Sequence, residues 1–233
     1  MRHRAFLLKS RTEAGQLLAA RLLATTSPQA LVLALPRGGV PVGFEIAQAL
    51  HLPLDVLVVR KLGVPHHEEF AMGALASGGL MVVTPEVIAA ENISQADVAD
   101  VVRRETQELH RREQLYRGNR PSPALSDRDV ILVDDGIATG CTMEVAIAAL
   151  RARQVHRITV AVPVLSASAC EKISLLADAL VYLHRPEPFY AVGLAYAAFG
   201  QTSDEDVAAL LARAAEQASY GMTVQRDQDQ TSQ

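Results

Sequence analysis

Short apolar runs alternate along this chain with stretches of helical period. "ALVLAL" (30–35), "LDVLVV" (54–59), "DVILV" (129–133), "RITVAVPV" (157–164) and "ALVYLH" (179–184) have strand length and few polar interruptions, the pattern of strands covered on both faces. Between them, Ser10 and Glu13 form a capping box that opens a helix over "RTEAGQLLAARLLA". "FEIAQAL", "TMEVAIAALRAR" and "SACEKISLLA" predict further helices, and residues 94–117, capped by Ser94 and Asp97, predict a long charged one. "AMGALASGGLMVV" predicts two strands around a Gly-Gly turn, whereas "RKLGVPHHEEF" predicts a polar loop and "GNRPSPALSDR" (118–128) a linker. Residues 186–200 are irregular and aromatic, "SDEDVAALLARAAEQA" is a capped terminal helix, and the polar end is expected to fray.

Strands that alternate with helices in this way predict an α/β fold with a mostly parallel central sheet and flanking helices. Ligands of such sheets sit beyond the carboxyl ends of the strands. Three predicted loops lie there, 36–43, 60–70 and 134–142. The 233 residues, 49% hydrophobic and 21% charged, suit one generous domain or a domain with an appendage. A net charge of −4 supplies no global attraction for nucleic acid or a membrane surface. No apolar stretch approaches the roughly 20 residues that span a bilayer, and "MRHRAFLLKSRTEAG" lacks the apolar region of a signal peptide. Cys141 and Cys170 build no disulfide framework, so the expected setting is the reducing cytoplasm.

The chemistry concentrates in "VILVDDGIATGCT" (130–142). A Gly/Thr turn between strand and helix presents backbone N–H groups and hydroxyls to an anion. The turn has no Lys where a nucleoside triphosphatase loop demands one, so a single phosphate monoester fits better. Asp134 and Asp135 cannot attract phosphate, but they can accept from a pair of sugar hydroxyls or support a hydrated Mg²⁺. A small ligand with a vicinal diol at one end and a phosphate at the other, such as ribose 5-phosphate, has the matching shape.

This stretch resembles the 5-phosphoribosyl 1-diphosphate (PRPP) signature of the type I phosphoribosyltransferases. The resemblance implies that Asp134 and Asp135 hold the ribose hydroxyls and Mg²⁺, the metal partly through those hydroxyls and water. It implies that Ala138, Thr139, Gly140, Cys141 and Thr142 wrap the 5′-phosphate. "LPRGGVPVG" is similar to the family's diphosphate loop, with Arg37 and the N–H groups of Gly38 and Gly39 as ligands. "VVRKLGVPHHEEFAMGA" resembles its mobile loop, in which Lys61 touches the diphosphate and His66, His67, Glu68 and Glu69 lie on the lid. "LALPRGGV", "VRKLG", "VDDGIATG" and the tail "FYAVGLAYAAFGQTSDEDV" are most similar to a bacterial phosphoribosyltransferase-like group with no settled acceptor base.

The organisation implied is a core over residues 1–185 with the long helix inserted near 94–117, a C-terminal hood and tail helix over 186–221, and a frayed tail over 222–233. In the hood, Phe189, Tyr190, Tyr196 and Phe199 are bunched as a candidate stacking surface for a planar base. Ala138 stands where the 6-oxopurine enzymes of the family carry an aspartate, which disfavours hypoxanthine and guanine. The activity implied is Mg²⁺-dependent transfer of ribose 5-phosphate from PRPP to a nitrogen base with release of diphosphate. The alternative is a PRPP- or nucleotide-sensing regulator of the same fold, in which Arg103, Arg104, Arg111, Arg112, Arg117 and Arg120 would face RNA. Against it, Glu108 with Arg112 and Glu113 with Arg117 have the spacing of ordinary surface pairs. A homodimer is compatible with the sequence but not fixed by it.

Overall fold

The structure, a computed structural model, describes residues 6–231, including their side chains except at 68, 69 and 218–231. In chain order the elements are α1 (Arg11–Leu22), β1 (Leu31–Ala34), α2 (Gly39–Leu50), β2 (Leu54–Val56), β3 (Val59–Val64), β4 (His67–Ala76), β5 (Leu80–Val83), α3 (Pro85–Ala90) and α4 (Gln95–Arg117). There follow β6 (Asp129–Val133), α5 (Cys141–Ala152), β7 (Arg157–Val164), α6 (Ala167–Leu176), β8 (Ala179–His184), a 3-10 turn (Val192–Ala195) and α7 (Asp204–Thr231). Five strands form a parallel sheet in the order β2-β1-β6-β7-β8. Because β-strand side chains alternate, the apolar runs feed two cores. Val32, Ala34, Ile131 and Val133 join residues of α1, α2, α4 and α7, while Leu31, Leu33, Val130 and Leu132 join α5 and α6. The α/β fold with a parallel sheet is therefore as the pattern predicts.

Several boundaries differ. The segment expected as a polar loop, 60–70, is a hairpin: β3 and β4 pair antiparallel, β5 extends them into a second sheet, and Pro65 and His66 form the turn. Its charges hid the apolar positions Leu62, Val64 and Met72, which are buried. "LDVLVV" accordingly divides between the two sheets, with the N–H of Val58 donating to Ser77 Oγ at the crossing. The expected loop 36–43 is shorter, since α2 begins at Gly39. Pro41 falls in the first turn, where its missing N–H is not needed. Gly43 lies where a Cβ would come 3.1 Å from Ala34 Cβ, so it permits close helix-on-strand packing.

The hood also departs from expectation. Leu8 pairs with the backbone of Ala195 and Ala197, which brings the chain start into it. The tail helix leaves it: Val207 and Leu211 of α7 are buried in the main core beside α2 and α4. The α7 backbone is helical to Thr231, and residues 232 and 233, the end of the tail expected to fray, lie outside the described residues.

Helix α4 is bolted to both sheets. Arg117 donates to Asp55 and to the Val56 carbonyl, and Arg60 of β3 donates to Glu105. Arg111 and Arg112 both donate to Glu108, holding that carboxyl at about 2, below its usual range. Arg120 reaches the Leu211 and Tyr116 carbonyls. Arg60, Arg117 and Arg120 thus serve internal acceptors, whereas Arg103, Arg104 and Arg111 stay 70%, 58% and 55% exposed. Among the described residues no helix is long and apolar enough to cross a membrane.

Candidate active site

The acid pair stands at the carboxyl end of β6, a central strand of the sheet. Asp134 Oδ1 accepts from the N–H of Asp135 at 2.8 Å. Burial, and then the neighbouring charge of Asp135, hold the Asp134 carboxyl well above the usual carboxylate range. Burial also raises Asp135, but Arg11 opposes this: its Nε and Nη2 both reach Asp135 Oδ2, at 2.8 and 2.7 Å. The glycine loop lies directly on the pair. A Cβ at Gly38 would come 2.0 Å from Asp135 Oδ2, and one at Gly39 would come 2.7 Å from the Val133 carbonyl. Both glycines are there for close approach, since neither has a positive φ.

Beyond the acids, Ile137 pairs with Leu165, and Ser166 Oγ donates to the Ala138 carbonyl at 2.6 Å, fixing the turn to the end of β7. Gly140, left-handed at φ 88°, precedes α5 and supplies no side-chain cap. The first-turn N–H groups of α5, beginning at Cys141 and Thr142, are thereby presented at an electropositive helix end. Ala138, Thr139, Cys141 and Thr142 are exposed there. Lys61 of β3 lines a cavity of about 460 Å³ together with Cys141, Thr142 and Glu144. The structure thus brings Lys61 opposite the Gly/Thr turn.

Other expected residues are placed less simply. The Gly39 N–H already donates to the Leu35 carbonyl as α2 begins, so of the two glycine donors assigned to a diphosphate it is committed elsewhere. His66 is in the hairpin turn with φ 67°, and His67 opens β4; the side chains of Glu68 and Glu69 lie outside the described residues. The four hood aromatics differ in exposure, and Phe189 packs on the cluster that contains Tyr196. Tyr196 is buried and its hydroxyl donates to the Asp135 carbonyl at 2.6 Å, while its ring stacks on Phe199 at 5.0 Å. Burial pushes its phenol far above the ordinary range. Phe189 packs on the small core of Leu8, Ala14 and Val164, and Tyr190 is exposed.

Arg11 is the residue that sequence reasoning missed. It joins Asp135 to the hood, donating through Nη1 to the Gly200 carbonyl at 2.7 Å with its guanidinium 4.0 Å from the Phe199 ring centroid. Asp204, which accepts from Tyr116 and faces Arg37, was missed as well. Both contacts join residues far apart in the chain, and neither leaves a local signal.

A sequence model of the phosphoribosyl transferase domain matches residues 11–183, and that span holds the acid pair, the Gly/Thr turn and the glycine loop. The chain belongs to this family. The "Putative phosphoribosyl transferase Rv0571c" of Mycobacterium tuberculosis is 42% identical over 208 residues, 89% of this chain and 47% of the relative. The chain therefore spans about half the length of the curated relatives it matches. The crystal structure of TT1426 from Thermus thermophilus is similar with a TM-score of 0.77 and 41% identity, covering 88% of this chain and 97% of that one. A phosphoribosyl transferase core, with α7 outside the matched span, is the frame for the chemistry below.

Proposed function

We propose that this phosphoribosyl transferase takes ribose 5-phosphate from PRPP and passes it to a nitrogen base, releasing diphosphate, in the reducing cytoplasm. The observation that carries this reading is the grouping at the end of β6: the glycine loop that holds Arg37 packs directly on the half-buried acid pair, and an exposed Gly/Thr turn follows that pair in the chain. A ligand with phosphate, diol and diphosphate in that order spans them. In the reaction the bond from C1 to the diphosphate oxygen breaks, its electron pair leaving with diphosphate, and C1 bonds to a base nitrogen that gives up its proton. The chain's task is to hold both partners and exclude water.

Mg²⁺ fits this arrangement as a cation shared with the ligand. No group of three or more metal-ligating side chains occurs among the described residues, and Mg²⁺ commonly uses one or two carboxylates plus phosphate oxygens and water. Asp134 and Asp135 would hold it, partly through the ribose hydroxyls and water. The ion would neutralise charge on the leaving diphosphate.

Calorimetry with PRPP and Mg²⁺, followed by a panel of bases scored for diphosphate release, tests the proposal; no PRPP binding rejects it, and binding without turnover of any base favours a sensor. Hypoxanthine and guanine are expected to be poor acceptors, because the methyl group of Ala138 can neither donate nor accept a proton. Efficient turnover of either would show that another group does that work. Cys141 is exposed in the turn and Cys170 is half-buried on α6. PRPP should therefore slow alkylation of Cys141 and leave Cys170 unchanged, as followed by mass spectrometry. Equal labelling of Cys141 with and without PRPP would remove the 5′-phosphate from this turn.

A further inference from the structure

We infer that Asp204, the first residue of α7, is a built-in competitor of the diphosphate for Arg37 and sets how readily the leaving group is released. The inference rests on the proposed PRPP site. Asp204 lies beyond the span matched by the family, yet its Oδ1 is 4.0 Å from Arg37 Nη1 of the glycine loop. Its place is not accidental. Tyr116, anchored in the main core and 2% exposed, donates its hydroxyl to the same oxygen at 2.6 Å. The other oxygen lies 3.9 Å from Arg111 Nη2. Arg111 is already doubly bonded to Glu108, so Arg37 and Tyr116 are the partners that Asp204 does not share with a closer carboxylate.

The first turn of α7, with Asp204, Glu205 and Asp206, favours negative charge at that helix end. Burial, and then the hydrogen bond to Asp204, raise the Tyr116 phenol to about 12, so it stays a donor and holds the carboxylate in place at physiological pH. Arg37 is close enough to oppose that rise. The three groups form one electrostatic unit joining α4, α7 and the glycine loop.

A fixed carboxylate beside the arginine assigned to the diphosphate does two things. Without ligand it faces Arg37 across 4.0 Å, offsets part of its charge and draws its guanidinium toward the start of α7. With ligand it repels the arriving anion, so part of the attraction of Arg37 is offset before the diphosphate arrives. The result is a weaker hold on diphosphate, which favours its departure after transfer. Ribose 5-phosphate, which has no diphosphate, does not meet this repulsion.

The test is calorimetry of the full chain with three ligands in the presence of Mg²⁺: inorganic diphosphate, PRPP and ribose 5-phosphate. Asp204→Asn keeps an oxygen for Tyr116 but removes the charge. It should bind diphosphate about tenfold more tightly, the scale expected when one like charge leaves a half-buried anion site, and PRPP more tightly as well. Its affinity for ribose 5-phosphate should match the wild type, a ligand selectivity that general loosening of the fold would not produce. Glu205→Gln removes an exposed charge from the same turn and should leave all three affinities unchanged. Asp204→Glu restores the charge and should return diphosphate binding toward wild type. Unchanged or weaker diphosphate binding by Asp204→Asn overturns the inference, as does an equal gain in Glu205→Gln. Wild-type protein that binds ribose 5-phosphate but shows neither effect in the variants rejects this inference alone; wild-type protein that binds none of the three rejects the PRPP site and the inference together.

Discussion

PRPP binding should fall by more than about tenfold in the double variant Asp134→Asn, Asp135→Asn, because hydrogen bonds to a charged group contribute about 1.5–3 kcal/mol each. The two single variants should part company in stability. Burial and the charge of Asp135 raise the Asp134 pKa above its unfolded value. A group shifted that way stabilises the fold fully below its unfolded pKa, and the contribution is lost as pH rises through the folded pKa. The wild-type melting temperature should therefore drop with rising pH relative to that of Asp134→Asn. At about pH 8 the variant should melt at or above the wild type while binding PRPP more weakly, a stability gain made at the expense of the site. Asp135→Asn should melt below the wild type, since it leaves Arg11 at 13% exposure without its carboxylate. Thermal melts across pH, paired with calorimetry, check both halves. A folded double variant with wild-type affinity would take the acid pair out of the ligand site. An Asp134→Asn protein whose deficit against wild type grows with rising pH would mean the Asp134 charge supports the fold.

These carboxylates were legible in the sequence because their chemistry is local. Two acids and a Gly/Thr turn follow one apolar run, and the strand-to-helix connection that holds them needs only neighbouring residues. The central sheet was legible for the same reason, since doubly covered strands are apolar on both faces. The hairpin was not. Leu62, Val64 and Met72 are its buried apolar side chains, but Arg60, Lys61 and the residues from His66 to Glu69 give the stretch the composition of a polar loop. The start of α2 was obscured because Pro41 and Gly43 make 36–43 look like a loop, although a first turn tolerates one and close packing on Ala34 asks for the other. The hood was read from its aromatics alone. Its connection to the acid pair runs through Arg11 and Tyr196, whose contacts span 124 and 61 positions of chain. A sequence pattern carries no mark of such pairs, and Arg11 looked like the ordinary first residue of a capped helix.

Arg11→Met is the variant expected to harm the fold most. Arg11 and Asp135 are 13% and 14% exposed, and two guanidinium nitrogens converge on one carboxylate oxygen. Removing one member of such a pair strands the other, which costs about 3 kcal/mol. For a chain of this size that corresponds to a melting temperature lower by about 6–12 °C. The same change frees the Gly200 carbonyl and uncovers the Phe199 ring, loosening the segment that leads to α7. Pairing Arg11→Met with Asp135→Asn removes both charges, so the loss in the double variant should be smaller than the sum of the single losses by about 2 kcal/mol. Arg11→Lys keeps the charge but has one nitrogen to offer where the fork has two, and should fall between Met and wild type. Denaturant unfolding of the four proteins of the cycle measures the coupling. Losses that simply add would show that Arg11 and Asp135 act independently, and the guanidinium would then hold the hood in place through Gly200 and Phe199 alone.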